Sequence, residues 1–593
     1  MFYLNNFVPK ILKRKRSPSQ HELDKKLVFK LAKKRVPQIR QFKYFFHFLN
    51  KKEKLVVKIF LSLIIISLIF TGIRFYYIHL KIYPKVGGEY VEGLVGQPRF
   101  INPVLSSLNE VDQDISQLVF SGLLKYDSSE NLVPELAESY TISQDQKTYI
   151  FSLKQDIFWH DGERFTSEDV VFTVNLIKNP DIKSPLFPSF RDVEIKATDE
   201  YTVKFILAEP YAPFPSVLTF GILPQHIWSE IPENQFILTE YNLKPIGNGP
   251  FKFKSLNKDK LGFVKSYSIE RNPEYFKKPF LKNIHFKFYL SQEDALTALR
   301  NKNIDGLVHA QHLGVEKIEK MKDINKYSLY LPQYTALFFN PQNNSVLENL
   351  NVRQALAFSI NKKKILKEVL AEQGEIIYGP ISKGLIGYTS DVNKYDFNTE
   401  KANTLLEEAG WNELEQGFRK KDDQDLKVII TTIDRSDYIK TAELIKKFWE
   451  NVGVKVELNI ITPEVFRDKI IKSKAYEILL YSVISGFDPD PYAFWHSSQI
   501  DNSGLNLALY KNRKVDKLLG EARIMSDKEG REKRYEEFQQ ILAEDLPAIF
   551  LYNPAYNYFV DKRIRGIEVK RLSVTQDRFA DIEKWYARIK RGF

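Results

Sequence analysis

The segment KVIITTIDRSDYIKTAELIKKFWENVGVKVEL, residues 427–458, has the pattern of a strand, a helix and a second strand in succession. Its first seven residues are rich in β-branched side chains, which favour strands. Apolar residues then recur at helical spacing over 436–451, and Gly453 is placed to cap the helix end. A strand–helix–strand unit joins parallel strands of one sheet. The segment therefore predicts an α/β protein with a partly parallel sheet.

The same two patterns interleave along most of the remaining chain. No repeat of 20–50 residues is present, and irregular proline-containing connections favour discontinuous domains over a single doubly wound sheet. Strict alternation predicts strands at 147–154, 202–207 and 284–290, and helical periodicity predicts helices at 351–370 and 400–409.

The net charge of +12 on 593 residues is confined to one end of the chain. Residues 1–54 hold sixteen Lys or Arg against three acids, so the rest of the chain is close to neutral. Such a tail is more often solvated or bound to anionic lipid headgroups than to RNA. We therefore predict no nucleic-acid partner and assign the tail no specific role.

An apolar run, LVVKIFLSLIIISLIFTGIRFYYI, follows this tail at residues 55–78. Its uncharged part between Lys58 and Arg74 spans about 22 Å as a helix, short of the ~30 Å of a bilayer core, but both flanking cations can snorkel. The long basic region and the bulky residues after the run argue against a cleaved signal peptide. We expect an uncleaved anchor at 55–80, with 1–54 in the cytoplasm and the chain after about Tyr83 outside.

Several classes of chemistry find no support in the sequence. The chain has no cysteine, which excludes disulfides, thiolate metal sites and lipid attachment at cysteine. It also lacks the zinc-protease, phosphate-loop, nucleophile-elbow and dinucleotide motifs. We therefore expect no enzyme activity, no cofactor and no metal.

The segment FWHDGERFTSEDVVFTVNLI, residues 158–177, allows two interpretations. His160 and Asp161 are a conceivable acid–base pair. The plainer interpretation is a turn, then a capping box formed by Thr166 and Asp169, then an amphipathic helix. The second accounts for nearly every residue in the segment.

The stretch YSVISGFDPDPYAFWHSSQ, residues 481–499, places two carboxylates, Asp488 and Asp490, directly after an apolar strand. Alone, the pair is compatible with oxygen ligands for Mg²⁺ or Mn²⁺, with acid–base chemistry, with a ligand anchor, or with capping of a helix that begins near Pro491 and Tyr492.

Eight segments occur in a fixed order along the chain. They are INPVLSSLNEVDQ…SEDVVFT (101–173), GNGPFKF (247–253), SQEDALTALRNKNID (291–305), ALFFNP (336–341), NVRQALAFSINKKKIL (351–366), EEAGW (407–411), DPDPYAFWHSSQ (488–499) and LPAIFLY (546–552). In register, these segments resemble the family 5 extracellular solute-binding proteins, the peptide- and nickel-type receptors of ABC importers. The resemblance begins at about Gly87 and reaches the C-terminus.

The resemblance implies a two-lobed periplasmic-binding-protein-like α/β fold with three discontinuous domains and a hinged cleft, here preceded by one transmembrane helix. It implies domain I at 87–122, 250–335 and 553–593, domain II at 123–249 and domain III at 336–552. An extended ligand lies in the cleft between the lobes.

In peptide-binding members of this family, a carboxylate near the end of a strand such as 477–485 receives the ligand's α-amino group, and a buried ammonium requires such a partner. The typical acid lies three positions before an Asp-Pro pair. Here those positions hold Ser485 and Phe487. Either Asp488, nearer the strand end, or Asp490 has taken the role, or the ligand has no free amine. Helix capping is the alternative.

Other candidates for the cleft follow from the same comparison. Gly486 and Ser485 end the strand, and Gly96 with Gln97 follows the first strand of the exported part, where family members offer backbone to the ligand. The remaining candidates are Trp495, as the wall of a side-chain pocket or a core aromatic, and Arg435, as a partner for a carboxylate or half of a surface ion pair.

The leading hypothesis is a membrane-anchored, monomeric receptor that delivers oligopeptides to the permease and ATPase subunits of an ABC importer. One alternative is a membrane-anchored glycosyltransferase that holds a divalent metal through Asp488 and Asp490. Another is a peptide sensor or chaperone on the same fold.

Overall fold

The computed structural model describes residues 20, 22–25, 47, 49–79, 81–309, 318–501 and 504–592. Most of the basic tail lies outside this part. The chain divides into two compact units, one of residues 1–83 with 590–593 and one of residues 84–589.

The predicted apolar run lies within one helix, Lys51–His79. Its portion from Lys51 to Tyr76 contains an 18-residue stretch with a mean hydropathy of 2.5 and is long and apolar enough to cross a membrane. Helix formation is thus confirmed, whereas insertion into a membrane stays a prediction.

Helices and strands interleave through the described part of the chain, as the two patterns predict. The strands are β1 (Lys81–Lys85), β2 (Glu89–Val95), β3 (Leu124–Tyr126), β4 (Leu132–Pro134), β5 (Ala137–Ile142), β6 (Thr148–Leu153), β7 (Val193–Asp199), β8 (Thr202–Leu207), β9 (Phe251–Lys258), β10 (Val264–Arg271), β11 (Asn283–Tyr289), β12 (Gly306–His309), β13 (Ile324–Tyr330), β14 (Gln333–Phe339), β15 (Gly374–Ile376), β16 (Glu413–Glu415), β17 (Phe418–Lys421), β18 (Gln424–Asp425), β19 (Lys427–Ile433), β20 (Lys455–Ile461), β21 (Ile478–Ile484), β22 (Ala548–Asp561) and β23 (Arg588–Gly592). The α-helices after the apolar one are Glu110–Val119, Ser167–Lys178, Phe187–Phe190, Gln225–Trp228, Gln292–Arg300, Leu350–Phe358, Lys362–Leu370, Thr399–Glu408, Ser436–Glu450, Pro463–Phe466, Tyr492–Trp495, Arg513–Ile524 and Lys528–Asp545.

The predicted partly parallel sheet is present. β19 pairs in parallel with both β20 and β21, and β2 pairs in parallel with β11 and β12. Strands β5, β6, β8 and β7 form a separate antiparallel sheet of four strands.

The long strand β22 joins the two halves of the main sheet. Its first half pairs with β14 and β15, and its second half pairs with β12 and β13. β13 and β14 are themselves joined by only Leu331 and Pro332. Two neighbouring segments of chain therefore connect the halves, which is the arrangement of a hinge.

The hydrophobic cores divide at the same place. One large cluster combines residues between 90 and 331 with residues between 558 and 585. Two others draw on residues 334–552, and successive residues of β14 alternate between them. We call residues 84–331 with 555–589 the first lobe and residues 332–554 the second lobe.

One predicted helix, 351–370, is in fact two. The first ends at Phe358, and Asn361 caps the second, its side chain accepting a hydrogen bond of 2.9 Å from the Lys364 N–H. Asn competes with the helical backbone through such bonds, so apolar periodicity missed the break.

The turn before β9 depends on close backbone approach. The Gly249 N–H donates to the Val119 carbonyl at 2.8 Å, and a Cβ on Gly247 would lie 2.0 Å from the same oxygen. Glycine is therefore required at position 247.

We expect Gly247→Ala to lower the free energy of unfolding by about 3 kcal/mol, because the added methyl displaces the Val119 backbone. The control is Gly520→Ala, since a Cβ at that helical position meets nothing within 4 Å. Alanine there should stabilise by about 0.5–1 kcal/mol. Urea unfolding of both variants measures the difference, and equal stabilities would contradict the steric argument.

Candidate functional site

A cavity of about 360 Å³ lies between the lobes, and we call it chamber A. Its wall is rich in hydroxyl groups from well-separated segments of the chain, including Ser116, Ser121, Ser216, Thr219, Ser485 and Ser573. Such groups both donate and accept hydrogen bonds. The chamber is therefore suited to a polar ligand.

The charged lining of chamber A consists of four acids and one lysine: Glu135, Asp488, Asp577, Glu583 and Lys125. Lys125 lies 3.6 Å from a Glu583 oxygen, and Glu135 accepts a hydrogen bond of 2.5 Å from the Tyr275 hydroxyl. Burial raises the pKa of Asp577 to about 6 although the Ser573 and Val574 N–H groups donate to it. The chamber is acidic overall.

Asp488 is held by one arginine. Arg531, in the helix Lys528–Asp545, donates to both carboxylate oxygens at 2.7 and 2.9 Å. The pair is well shielded from solvent, with 9% of the arginine side chain and 18% of the aspartate side chain exposed. A two-pronged pair of this kind fixes the carboxylate in position at the chamber wall.

Asp490 is held by groups from both lobes. Its Oδ2 lies 3.1 Å from Arg523 Nη2, in the second lobe, and accepts a hydrogen bond of 3.1 Å from the hydroxyl of Tyr211, which packs on the first-lobe core. The Ala212 N–H donates to the Arg523 carbonyl at 2.9 Å. Burial raises the pKa of Asp490, and Arg523 opposes that rise. We call Tyr211, Ala212, Asp490 and Arg523 the latch.

The capping and metal interpretations of the aspartates are not favoured. The helix Tyr492–Trp495 begins after Pro491 without a side-chain cap. Each carboxylate already faces an arginine, so the pair does not offer the set of free oxygen ligands that a divalent metal requires. Among the residues that the structure describes, no group of three or more His, Cys, Asp or Glu could hold a metal ion.

Ser485 and Gly486 line chamber A beside Asp488. The Ser485 N–H and Oγ both donate to the Pro332 carbonyl, at 2.8 and 3.1 Å, which ties the loop to the hinge. Gly486 has φ +79°, a conformation that glycine adopts without strain.

Gly96 and Gln97 lie outside the linings of the cavities described here. The Gly96 N–H donates to the Tyr289 carbonyl at 2.9 Å, and Gln97 Oε1 accepts from the Val264 N–H at 3.3 Å. Their hydrogen bonds connect the segment after β2 to β11 and β10.

Trp495 and Arg435 take the plainer of the two roles considered for each. Trp495 is 1% exposed and packs in the second-lobe core against Tyr334 and Phe550, outside the linings of chamber A and of the second cavity described below. Arg435 forms a two-pronged surface pair with Asp437 at 2.7 and 2.6 Å.

A second cavity of about 300 Å³, chamber B, adjoins chamber A. Its charged lining is Lys383, Lys570, Arg571 and Glu375. Arg571 pairs with Glu130 at 3.3 Å, whereas the two lysines have no ion-pair partner within the described residues. Chamber B is thus basic where chamber A is acidic.

Sequence reasoning missed the partners of the two aspartates. Arg523 and Arg531 lie 33 and 43 residues after Asp490 and Asp488. A carboxylate beside a closed cleft implies some cation nearby. No pattern in the sequence indicates which of its 87 Lys and Arg supplies it.

His160 and Asp161 do not form a pair. The Gly247 N–H donates to His160 Nδ1 at 3.1 Å, and Nε2 lies 3.2 Å from the Gly249 carbonyl. Burial lowers the pKa of His160 to about 4. Asp161 instead contacts His226 at 2.9 Å. The capping box of Thr166 and Asp169 is present, so the structural interpretation of this segment is confirmed.

The protein-family model described as "Bacterial extracellular solute-binding proteins, family 5 Middle" matches residues 131–504 of this chain. Two lobes joined by a short hinge, with a polar cleft between them, are the form expected of such a receptor. The chain belongs to this family of solute-binding receptors.

Individual relatives agree along most of the chain. It is 28% identical over 518 residues to the oligopeptide-binding protein AppA of Bacillus subtilis, covering 85% of this chain and 92% of that protein. A structure of that AppA with a nonapeptide matches 85% of this chain and 99% of its own, with a TM-score of 0.70. The substrate-binding protein CtaP of Listeria monocytogenes, 28% identical, matches 85% of this chain and all of its own, with a TM-score of 0.74.

Removing the Tyr211 hydroxyl should favour the open form. In Tyr211→Phe the ring stays while a hydrogen bond to a carboxylate is lost, which costs about 1–2 kcal/mol, or a five- to thirtyfold decrease in the ratio of closed to open molecules. Fluorescence energy transfer between labels on the two lobes measures that fraction. Tyr201→Phe, whose hydroxyl bonds only the adjacent Glu200, is the control. A closed fraction equal to that of the control would contradict the latch.

Acid should destabilise the protein through His160. A pKa of about 4 in the folded state, against an ordinary 6.5, means that the unfolded chain binds the proton first as pH falls. The stabilisation is complete above pH 6.5 and is lost toward pH 4, by up to about 3 kcal/mol. The His160→Gln variant should be less stable than wild type at neutral pH, and its stability should change less between pH 6.5 and pH 4. Thermal unfolding from pH 4 to 7.5 checks this, with His226→Gln as the control.

Proposed function

We propose that this chain is a membrane-anchored receptor that captures oligopeptides between its lobes and delivers them to the permease and ATPase of an ABC importer. It acts outside the cytoplasm as a monomer, held in the membrane by the segment 55–80. The role needs no catalytic group, cofactor or nucleic acid. The three-domain division given by the family resemblance is part of this proposal.

The observation that carries the proposal is the opposite charge of the two chambers. Chamber A presents four acids and one lysine, and chamber B presents three bases and one acid. A peptide with free termini is itself positive at one end and negative at the other. An extended peptide with its amino end in chamber A therefore matches both chambers.

The hydroxyl-rich wall supports a peptide for a second reason. Peptide amides need donors and acceptors wherever they lose water, and serine hydroxyls supply both without demanding a particular side chain. The relative AppA, whose structure holds a nonapeptide, supports the same class of ligand.

Asp488 is the proposed partner of the ligand's α-amino group. It lines chamber A, whereas Asp490 is engaged in the latch. An ammonium there shares the carboxylate with Arg531, so the three charges form one group rather than an isolated pair. Ser485 and Gly486 are proposed to contact the ligand through their position on the same wall.

The test compares free and N-acetylated forms of one peptide on the detergent-solubilised full chain. Wild type should be stabilised against heat by the free peptide and bind the acetylated one about tenfold more weakly, since acetylation removes the ammonium. Asp488→Asn should abolish this discrimination. Asp490→Asn should bind both forms of the peptide less tightly but should still discriminate between them. Failure of a broad peptide library to shift the melting temperature of wild type would exclude the proposed function.

A further inference from the structure

One residue, Phe487, lines both chambers, and no other described residue is common to the two linings. It lies between Gly486 and Asp488 in the loop that follows β21. The residue therefore lies at the boundary between the acidic and the basic cavity.

The ring is held from the first lobe. It packs edge-on against Tyr126, with centroids 4.9 Å apart and planes at 76°. The Phe487 N–H lies 3.4 Å from Ser573 Oγ, a further contact with the first lobe. These contacts exist only when the lobes are together.

The backbone on either side of Phe487 is also fixed. Ser485 is bonded to the Pro332 carbonyl at the hinge, and Asp488 is held by Arg531. The loop cannot swing away without breaking these bonds. Rotation of the side chain is the least costly way to open the boundary.

The sizes of the cavities give this boundary a consequence. At about 360 and 300 Å³, each chamber alone is at the lower limit for a ligand site, while the two together lie well within the usual range of about 300–1,000 Å³. The position of the Phe487 ring therefore decides whether the cleft offers one chamber to a short ligand or both chambers to a long ligand.

We propose that Phe487 determines the length of ligand that the cleft accepts. With the ring between the chambers, a short peptide fits one of them. A longer peptide must turn the ring aside to occupy both, at the expense of its contact with Tyr126. This inference rests on the proposed function, because it concerns peptides in the same cleft.

The test measures dissociation constants by calorimetry for peptides of two to ten residues on the full chain in detergent. Phe487→Ala should improve binding of the longest peptides relative to the shortest by about tenfold. Phe487→Trp should shift the preference toward short peptides. Phe397→Ala removes an exposed phenyl ring outside both chambers and should leave the profile unchanged. Phe487→Leu replaces the alanine variant if the latter does not fold.

The two proposals fail differently. If wild type binds none of the peptides, the proposed function is wrong. If wild type binds peptides but its length profile is the same in the Trp variant and in the Ala or Leu variant, the role of Phe487 is wrong while the receptor function stands.

Discussion

A single strand of fourteen residues pairs with both halves of the main sheet, and the arrangement of the two lobes depends on that constraint. β22 pairs with second-lobe strands through its first half and with first-lobe strands through its second half. The register shift between Thr335 and Ala336 occurs where β14 meets it. A change in the strand pairing of one lobe would alter the pairing of the other lobe through β22. The lobes can nevertheless rotate relative to each other about β22, because each has its own core.

The two aspartates at the cleft show how neighbouring identical side chains acquire separate tasks. Asp488 and Asp490 are two positions apart, yet their arginines come from different helices. Asp488 therefore stays on the chamber wall, while Asp490 reaches Tyr211 in the other lobe. Asp490 has φ +23°, a strained backbone for a residue other than glycine. The loop between them connects the site to the contact between lobes.

Local sequence patterns predicted the helices and strands well, but they did not identify side-chain partners that are distant in the sequence. β19 has the bounds expected from its β-branched run, and Thr166 begins its helix as the capping box indicates. The motif order also gave the two-lobed fold. The basic chamber could not be foreseen, because Lys383 and Lys570 are brought together only by tertiary structure. Trp495 shows a second limit of sequence analysis. An aromatic residue after a strand that leads to the cleft has the same sequence pattern whether it packs in a core or lines a ligand pocket.

The order of the chain has a consequence for biogenesis. Chamber A takes part of its wall from residues 573–583, and β22 completes both sheets from residues 548–561. Because a chain is synthesised from its amino end, both lobes stay incomplete until the final segment has been added. The cavity wall is thus complete only in full-length molecules, and a product truncated before residue 573 lacks part of chamber A.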